Sequence, residues 1–183
     1  MTTLLRIDSS LRMDGSYSRE LTQDYQDQWL NQNPDGKVIH RCLMANPIPH
    51  LTQADYEGFF NQLGESDSLS DELIQEILLA DEIVIGSPLY NMSISSTLKA
   101  YIDHIVRLNA TFDWIDGAMI GRLQGKKLTL CISRGSCEPE SGYKIDHSTE
   151  YLKAVFGSVG IFNVNCIAYI KTASDQPELV RNY

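Results

Sequence analysis

The sequence predicts an α/β fold: an open, doubly wound sheet of five parallel strands with helices on both faces. Three observations point to it. Short apolar runs rich in β-branched residues alternate with stretches whose apolar residues recur every three to four positions. Glu82-Ile83-Val84-Ile85-Gly86 is apolar on successive residues, as a strand covered on both faces must be. Helical lengths, not two-residue turns, separate the runs, and parallel neighbours require such crossovers.

The elements follow in order. Leu4, Leu5 and Ile7 form the first strand, which stops at Asp8-Ser9-Ser10. Leu21, Tyr25 and Trp29, four residues apart, mark one face of a helix, and Asn33-Pro34-Asp35-Gly36 turns the chain into a second strand, Lys37 to Cys42. Met44 to His50, with Pro47 and Pro49, must be irregular because proline gives no amide and restrains its predecessor. Two acidic helices follow. The second opens on Ser68-Leu69-Ser70-Asp71, a capping-box pattern, and aligns Leu73, Ile74, Ile77 and Leu78. The strand Glu82 to Gly86 leads through Ser87-Pro88 to a helix carrying Leu98, Tyr101, Ile102 and Ile105. Lys127 to Ser133 is the fourth strand. A helix marked by Tyr151, Leu152, Val155, Phe156 and Val159 stops at Gly160, and Phe162 to Ile170 is the fifth strand. No linker or repeat interrupts the series, so residues 1–183 read as a single domain.

Composition narrows the function. With 43% apolar and 21% charged residues the chain is an ordinary globular protein, and no apolar run approaches the ~20 residues of a membrane span. The N-terminus shows no signal-peptide pattern, so a cytoplasmic protein is expected. The net charge of −9 is concentrated: from Asp55 to Glu82 there are nine acidic residues and no Lys or Arg. That excess predicts a solvated acidic face and argues against nucleic-acid binding. Cys42, Cys131, Cys137 and Cys166 lack a C-x-x-C spacing, and the four histidines lack metal-ligand spacing, so reduced thiols and no metal are expected.

Ligands of an open α/β sheet bind beyond the carboxyl ends of its strands. Three loops lie there. The first runs from Ser9 to Ser18 into a helix N-terminus, where free amides and the helix dipole favour a phosphate. Its serines equally suit a simple helix cap. In the second, Ser87 to Ser95, Tyr90 and Met92 flank Asn91, a combination that suits a planar heterocycle with polar edges. The alternative is a turn with Asn91 left-handed and Ser93 or Ser95 capping the next helix. The third, Ser133-Arg134-Gly135-Ser136, offers hydroxyls and close backbone approach, or an ordinary glycine turn. There is no G-x-G-x-x-G after the first strand, no complete phosphate loop at Gly121 to Lys127, and no G-x-S-x-G.

Taken in order, these segments resemble the FMN-dependent NADH:quinone oxidoreductases and azoreductases of flavodoxin-like fold. The resemblance runs from the first strand to about Ile170. It rests on Ser9-Ser10 and Ser16-Tyr17-Ser18, on Ala45-Asn46-Pro47-Ile48-Pro49, and above all on Pro88-Leu89-Tyr90-Asn91-Met92-Ser93-Ile94-Ser95. Gly125-Lys126-Lys127 leading to Ser133-Arg134-Gly135 extends it. It implies the strand order 2-1-3-4-5. It also implies bound FMN, NADH or NADPH as donor, quinones or azo compounds as acceptors in a ping-pong sequence, and a homodimer with active sites at the interface. Ser10, Ser16, Tyr17 and Ser18 would hold the FMN phosphate. Leu89, Tyr90, Asn91 and Met92 would line the isoalloxazine, and Ser133, Arg134, Gly135 and Ser136 would border its far edge. No side chain is implied as an acid–base catalyst, because the flavin carries the chemistry. The sequence departs from the family at Ser136, where a second glycine is common. It also departs from Thr172 to Tyr183, which allows at most a short turn of the usual final helix. A flavodoxin-type electron carrier is the alternative, favoured by the acidic face.

Overall fold

The computed structural model describes residues 2–61, 69–135 and 146–183. A six-stranded sheet runs in the order β2-β1-β3-β6-β7-β8, formed by β1 (Thr3–Asp8), β2 (Lys37–Cys42), β3 (Glu82–Pro88), β6 (Lys127–Ser133), β7 (Asn163–Ile170) and β8 (Glu178–Arg181). The first five are parallel and keep the expected order; β8 pairs antiparallel with β7. Each parallel pair is joined through a helix, as its geometry demands.

The structure adds strands to the sequence reading in two places. After Ile170 the chain reverses through Lys171, which has φ +57°, and returns as β8. The connection is too short for a crossover, so the added strand has to be antiparallel. The second addition is a separate hairpin of β4 (Phe112–Ile115) and β5 (Ala118–Gly121), closed by Asp116 and Gly117 at φ +52° and +80°. That Asp-Gly pair makes the primed turn whose twist matches antiparallel strands.

Alternation along the strands sends side chains to two cores. On one face Leu4, Val84 and Cys131 pack against Leu21 and Trp29 of α1 (Tyr17–Gln32). On the other Leu5, Ile7, Ile83, Ile85, Leu128 and Leu130 meet α3 (Leu69–Leu79), α4 (Ser96–Ile105) and α5 (Ser148–Ser158). The remaining helix, α2 (Gln53–Asn61), precedes α3. In α3, Leu73, Ile74 and Ile77 are buried, but Leu78 is 40% exposed. It lies five positions, about 140° around the helix, from Leu73, which puts it on the flank. The capping serine expected at Ser68 lies outside the described residues. Gly160 ends the α5 segment at φ +101°, a left-handed stop that favours glycine.

The acidic segment is less solvated than its composition predicts. Arg41 of β2 binds Glu72 and Glu76, and Arg107 binds Asp71. Cations from neighbouring elements therefore neutralise part of the α3 charge.

One close approach sets α1 against the sheet. A Cβ on Gly86 would lie 3.0 Å from the Ser18 carbonyl, 3.1 Å from Thr22 Cγ2 and 3.2 Å from Asp8 Oδ1. Gly86→Ala should therefore push the first turn of α1 off β3 and destabilise the protein by about 1–3 kcal/mol, the usual range for overpacking. Urea unfolding checks this, and an unchanged midpoint would show that the helix has room to move.

Candidate functional site

Parallel pairing puts the carboxyl ends of β1, β3 and β6 at one edge of the sheet. Strand order reverses between β1 and β3, because the chain steps from β1 to β2 on one side and then to β3 on the other. A crevice is expected at that point. A cleft of about 130 Å³ lies there, lined among the described residues by Ser10, Arg12, Ser16 and Tyr17 of the first loop and helix start, by Pro88, Leu89 and Tyr90 after β3, and by Ser133, Gly135 and Thr172.

The first loop divides its serines between two tasks. Ser9 Oγ donates to the Gly86 carbonyl at 2.7 Å and ties the loop to β3. Ser10 Oγ faces the cleft, 3.3 Å from the Tyr90 hydroxyl. Ser16 occupies the N-cap position of α1 but makes no side-chain cap bond; its hydroxyl lies 3.3 Å from that of Ser18. Capping therefore does not account for Ser16. The helix N-terminus meets the cleft with its hydroxyl available to an anion.

The second loop is a tight turn with reciprocal backbone bonds between Tyr90 and Ser93 and with φ +50° at Asn91 and +70° at Met92. A methionine in that region is strained. The turn is held by Met92, whose carbonyl accepts from the His147 amide at 3.0 Å, and by Ser95, which caps α4 by accepting from the Leu98 amide. The turn and cap expected as an alternative are thus present. Even so, Tyr90 is only half-buried, and its hydroxyl accepts from the Leu11 amide at 3.3 Å. Asn91 and Met92 sit exposed at the tip and do not line the cleft.

The third loop is braced from behind. The Arg134 amide donates to the Tyr169 carbonyl, and Thr172 donates to the Arg134 carbonyl. The Arg134 side chain is buried, with its guanidinium 5.3 Å from the centre of the Tyr183 ring, so it turns away from the cleft that Ser133 and Gly135 line. Ser136 and Cys137 lie outside the described residues.

Two features of the site have no counterpart in the sequence reading. Arg12 contributes a cation to the cleft. Behind the loop lies the fully buried carboxylate of Asp8, 2.9 Å from Arg6, 2.8 Å from His40 Nε2 and 3.5 Å from Arg19, with Thr22 donating at 2.6 Å. Burial would raise its pKa, but the bonds from His40, Thr22 and Arg6 and the Arg6 charge outweigh that and hold it below the ordinary value. Cys166 is pushed up to about 12 by burial, and burial also raises Cys131, so neither offers a thiolate at neutral pH. Among the described residues no group of His, Cys, Asp or Glu is placed to hold a metal ion.

Comparison with known proteins agrees with this architecture. A protein family described by its flavodoxin-like fold matches residues 2–182. The FMN-dependent NADH:quinone oxidoreductase of Herminiimonas arsenicoxydans is 36% identical over 175 residues, covering 91% of this chain and 86% of that protein. The FMN-dependent NADH:quinone oxidoreductase 2 of Pseudomonas fluorescens is 38% identical over 174 residues, with the same coverage of 91% and 86%. Among solved structures, the azoreductase of Bacillus anthracis superposes with a TM-score of 0.85 at 23% identity, covering 94% of this chain and 88% of that one. An FMN-dependent NADH-azoreductase of the same species, solved in complex with FMN, gives 0.82 at 21% identity, covering 94% and 89%. At such identities the structures establish the shared fold.

The Asp8 cluster fixes an acid limit. A carboxyl with a lowered folded pKa stabilises the fold above its unfolded value, about 3.9, and that stability is lost as pH falls through the folded value. Unfolding free energy should therefore decline below about pH 4. Asp8→Asn should flatten that decline and reduce stability at pH 7 by about 3 kcal/mol, since it leaves the buried Arg6 guanidinium and the largely covered Arg19 without their anion. Identical acid limbs for the two proteins would mean that Asp8 is already protonated in the fold.

Proposed function

The chain belongs to the flavodoxin-like family of FMN-dependent NADH:quinone oxidoreductases, and from that premise we propose that it is an FMN-dependent NADH:quinone oxidoreductase that also reduces azo compounds. One observation carries the reading: an uncapped helix N-terminus with inward serines and an apolar, aromatic wall meet in a single cleft at the switch point. The donor set suits FMN. Ser10, Ser16 and the α1 N-terminus with Ser18 beneath them suit the phosphate, and Arg12 adds charge. Pro88, Leu89 and Tyr90 give a flat wall on the way to the ring edge, with Asn91 and Met92 at its end, and Ser133 and Gly135 stand across from the first loop.

When bound, FMN would supply the redox chemistry, hydride acceptance from NADH and electron donation to a quinone or azo compound in a ping-pong sequence. The protein's own task is placement. The cleft lining among the described residues is serine, threonine, tyrosine, apolar and arginine side chains, and we assign none of them a role beyond holding and orienting the cofactor. At about 130 Å³ the cleft is well below the roughly 300–1,000 Å³ of sites that enclose a whole ligand. It suits one end of the cofactor, and a second copy of the chain would complete the walls. Trp114 and Ile115 on the hairpin, 62% and 52% exposed, are apolar surface of the kind such a homodimer covers. No helix among the described residues is long and apolar enough to cross a membrane, in keeping with a cytoplasmic enzyme. The electron-carrier reading loses support, because its acidic face is partly bound to Arg41 and Arg107.

The test is the visible spectrum of the purified protein with FMN, then with anaerobic NADH, then with a quinone. Bound oxidised flavin should bleach with NADH and recover with quinone. Flavin that ignores NADH would favour the carrier, and no bound flavin would end the reading. Within the site, Asn91→Gly keeps the left-handed turn but removes the amide. It should weaken FMN binding or slow flavin reduction about tenfold, as loss of one polar anchor does. Titration and stopped-flow reduction measure both, and two unchanged values would remove Asn91 from the site.

A further inference from the structure

Arg19 stands in the first turn of α1, where the helix dipole disfavours a cation. Its side chain instead folds back under the first loop. Nε donates to the Arg12 carbonyl and Nη2 to the Ser10 carbonyl, each at 2.9 Å. From behind, Nη1 lies 3.5 Å from the buried Asp8 carboxylate, and Cys42 Sγ accepts from both Nη1 and Nη2 at 3.4 Å. One guanidinium thus joins the ends of β1 and β2 to two carbonyls of the loop, using the planar fork that a lysine lacks.

The consequence lies on the other side of the same peptide. In a planar trans peptide the carbonyl and the following N–H point in opposite directions. With the Ser10 carbonyl held by Arg19, the Leu11 N–H must point away from it, and it does: it meets the Tyr90 hydroxyl, on the residue that walls the cleft, at 3.3 Å. We propose that Arg19 is a positioning residue for phosphate recognition: by holding the Ser10 and Arg12 carbonyls it fixes the loop whose Ser10 and Arg12 line the cleft, with the Leu11 amide turned onto the Tyr90 hydroxyl. The ligand group is a phosphate monoester, and the inference rests on the flavin reading above. Arg19 itself stays beneath the loop and does not line the cleft. Asp8 supplies the fixed countercharge that keeps the guanidinium in place, and Arg6 and His40 share that carboxylate.

The test compares FMN with riboflavin, which lacks the phosphate, by fluorescence titration of the flavin-free protein. Arg19→Gln should lose about tenfold to a hundredfold in FMN affinity while its riboflavin affinity stays within about threefold. Arg19→Lys keeps the charge but not the fork and should fall between wild type and Arg19→Gln. It also serves as the readout if the glutamine variant fails to fold. Equal losses for both flavins, or no loss for FMN, would overturn the proposal while leaving the flavin reading intact. Wild-type protein that binds neither flavin would overturn both.

Discussion

Parallel pairing between β1 and β3 is the constraint on which the rest depends. Parallel neighbours cannot be joined by a turn, so every connection is a crossover, and all strand carboxyl ends face one edge. The order β2-β1-β3 makes the chain leave β1 in one direction and return on the other side, opening a crevice where the two paths part. Gly86 lets α1 approach β3 there, and Ser9 fastens the first loop to the Gly86 carbonyl. The cleft is therefore a property of topology first and of its lining residues second.

Most of the fold was legible because burial on both faces leaves a plain record. Lys37–Cys42 and Lys127–Ser133 are strands over the very residues that the pattern indicates. What escaped was local. The β4–β5 hairpin has only four residues a side, too few for alternation to mark it, and its local signal is the Asp116-Gly117 turn pair. β8 escaped for another reason. Its residues Glu178–Arg181 are mostly exposed, so no alternation marks them, and the strand exists because β7 offers an open edge.

The candidate site was legible by loop and less so by residue. Serines after β1 and the Tyr90 segment after β3 announce a polar, aromatic crevice, and the structure brings Ser10, Ser16, Tyr17, Leu89, Tyr90, Ser133 and Gly135 to one cleft. Sequence could not say that Arg134 would turn toward Tyr183, because that depends on where β8 returns the chain. Nor could it place Asn91 and Met92 at an exposed tip, which follows from the two left-handed residues of the turn. The Asp8 cluster was hidden for the same reason. Arg6, Arg19, Thr22 and His40 come from three elements and share no spacing.

That cluster also resolves an electrostatic difficulty. A chain of net charge −9 is a poor long-range attractor of a phosphate. Charges beyond a Debye length of ~8 Å are largely screened, however, so the local sign decides. The acids are gathered on α2 and α3, where Arg41 and Arg107 hold several of them. The α1 end gathers Arg6, Arg12 and Arg19 instead, and its nearest buried anion, Asp8, is already shared among Arg6, Arg19 and His40. Asp8 therefore fixes the guanidinium groups without cancelling the field of the helix N-terminus. An arginine held from behind can then act through the backbone, fixing the loop that presents Ser10 and Arg12 to the cleft.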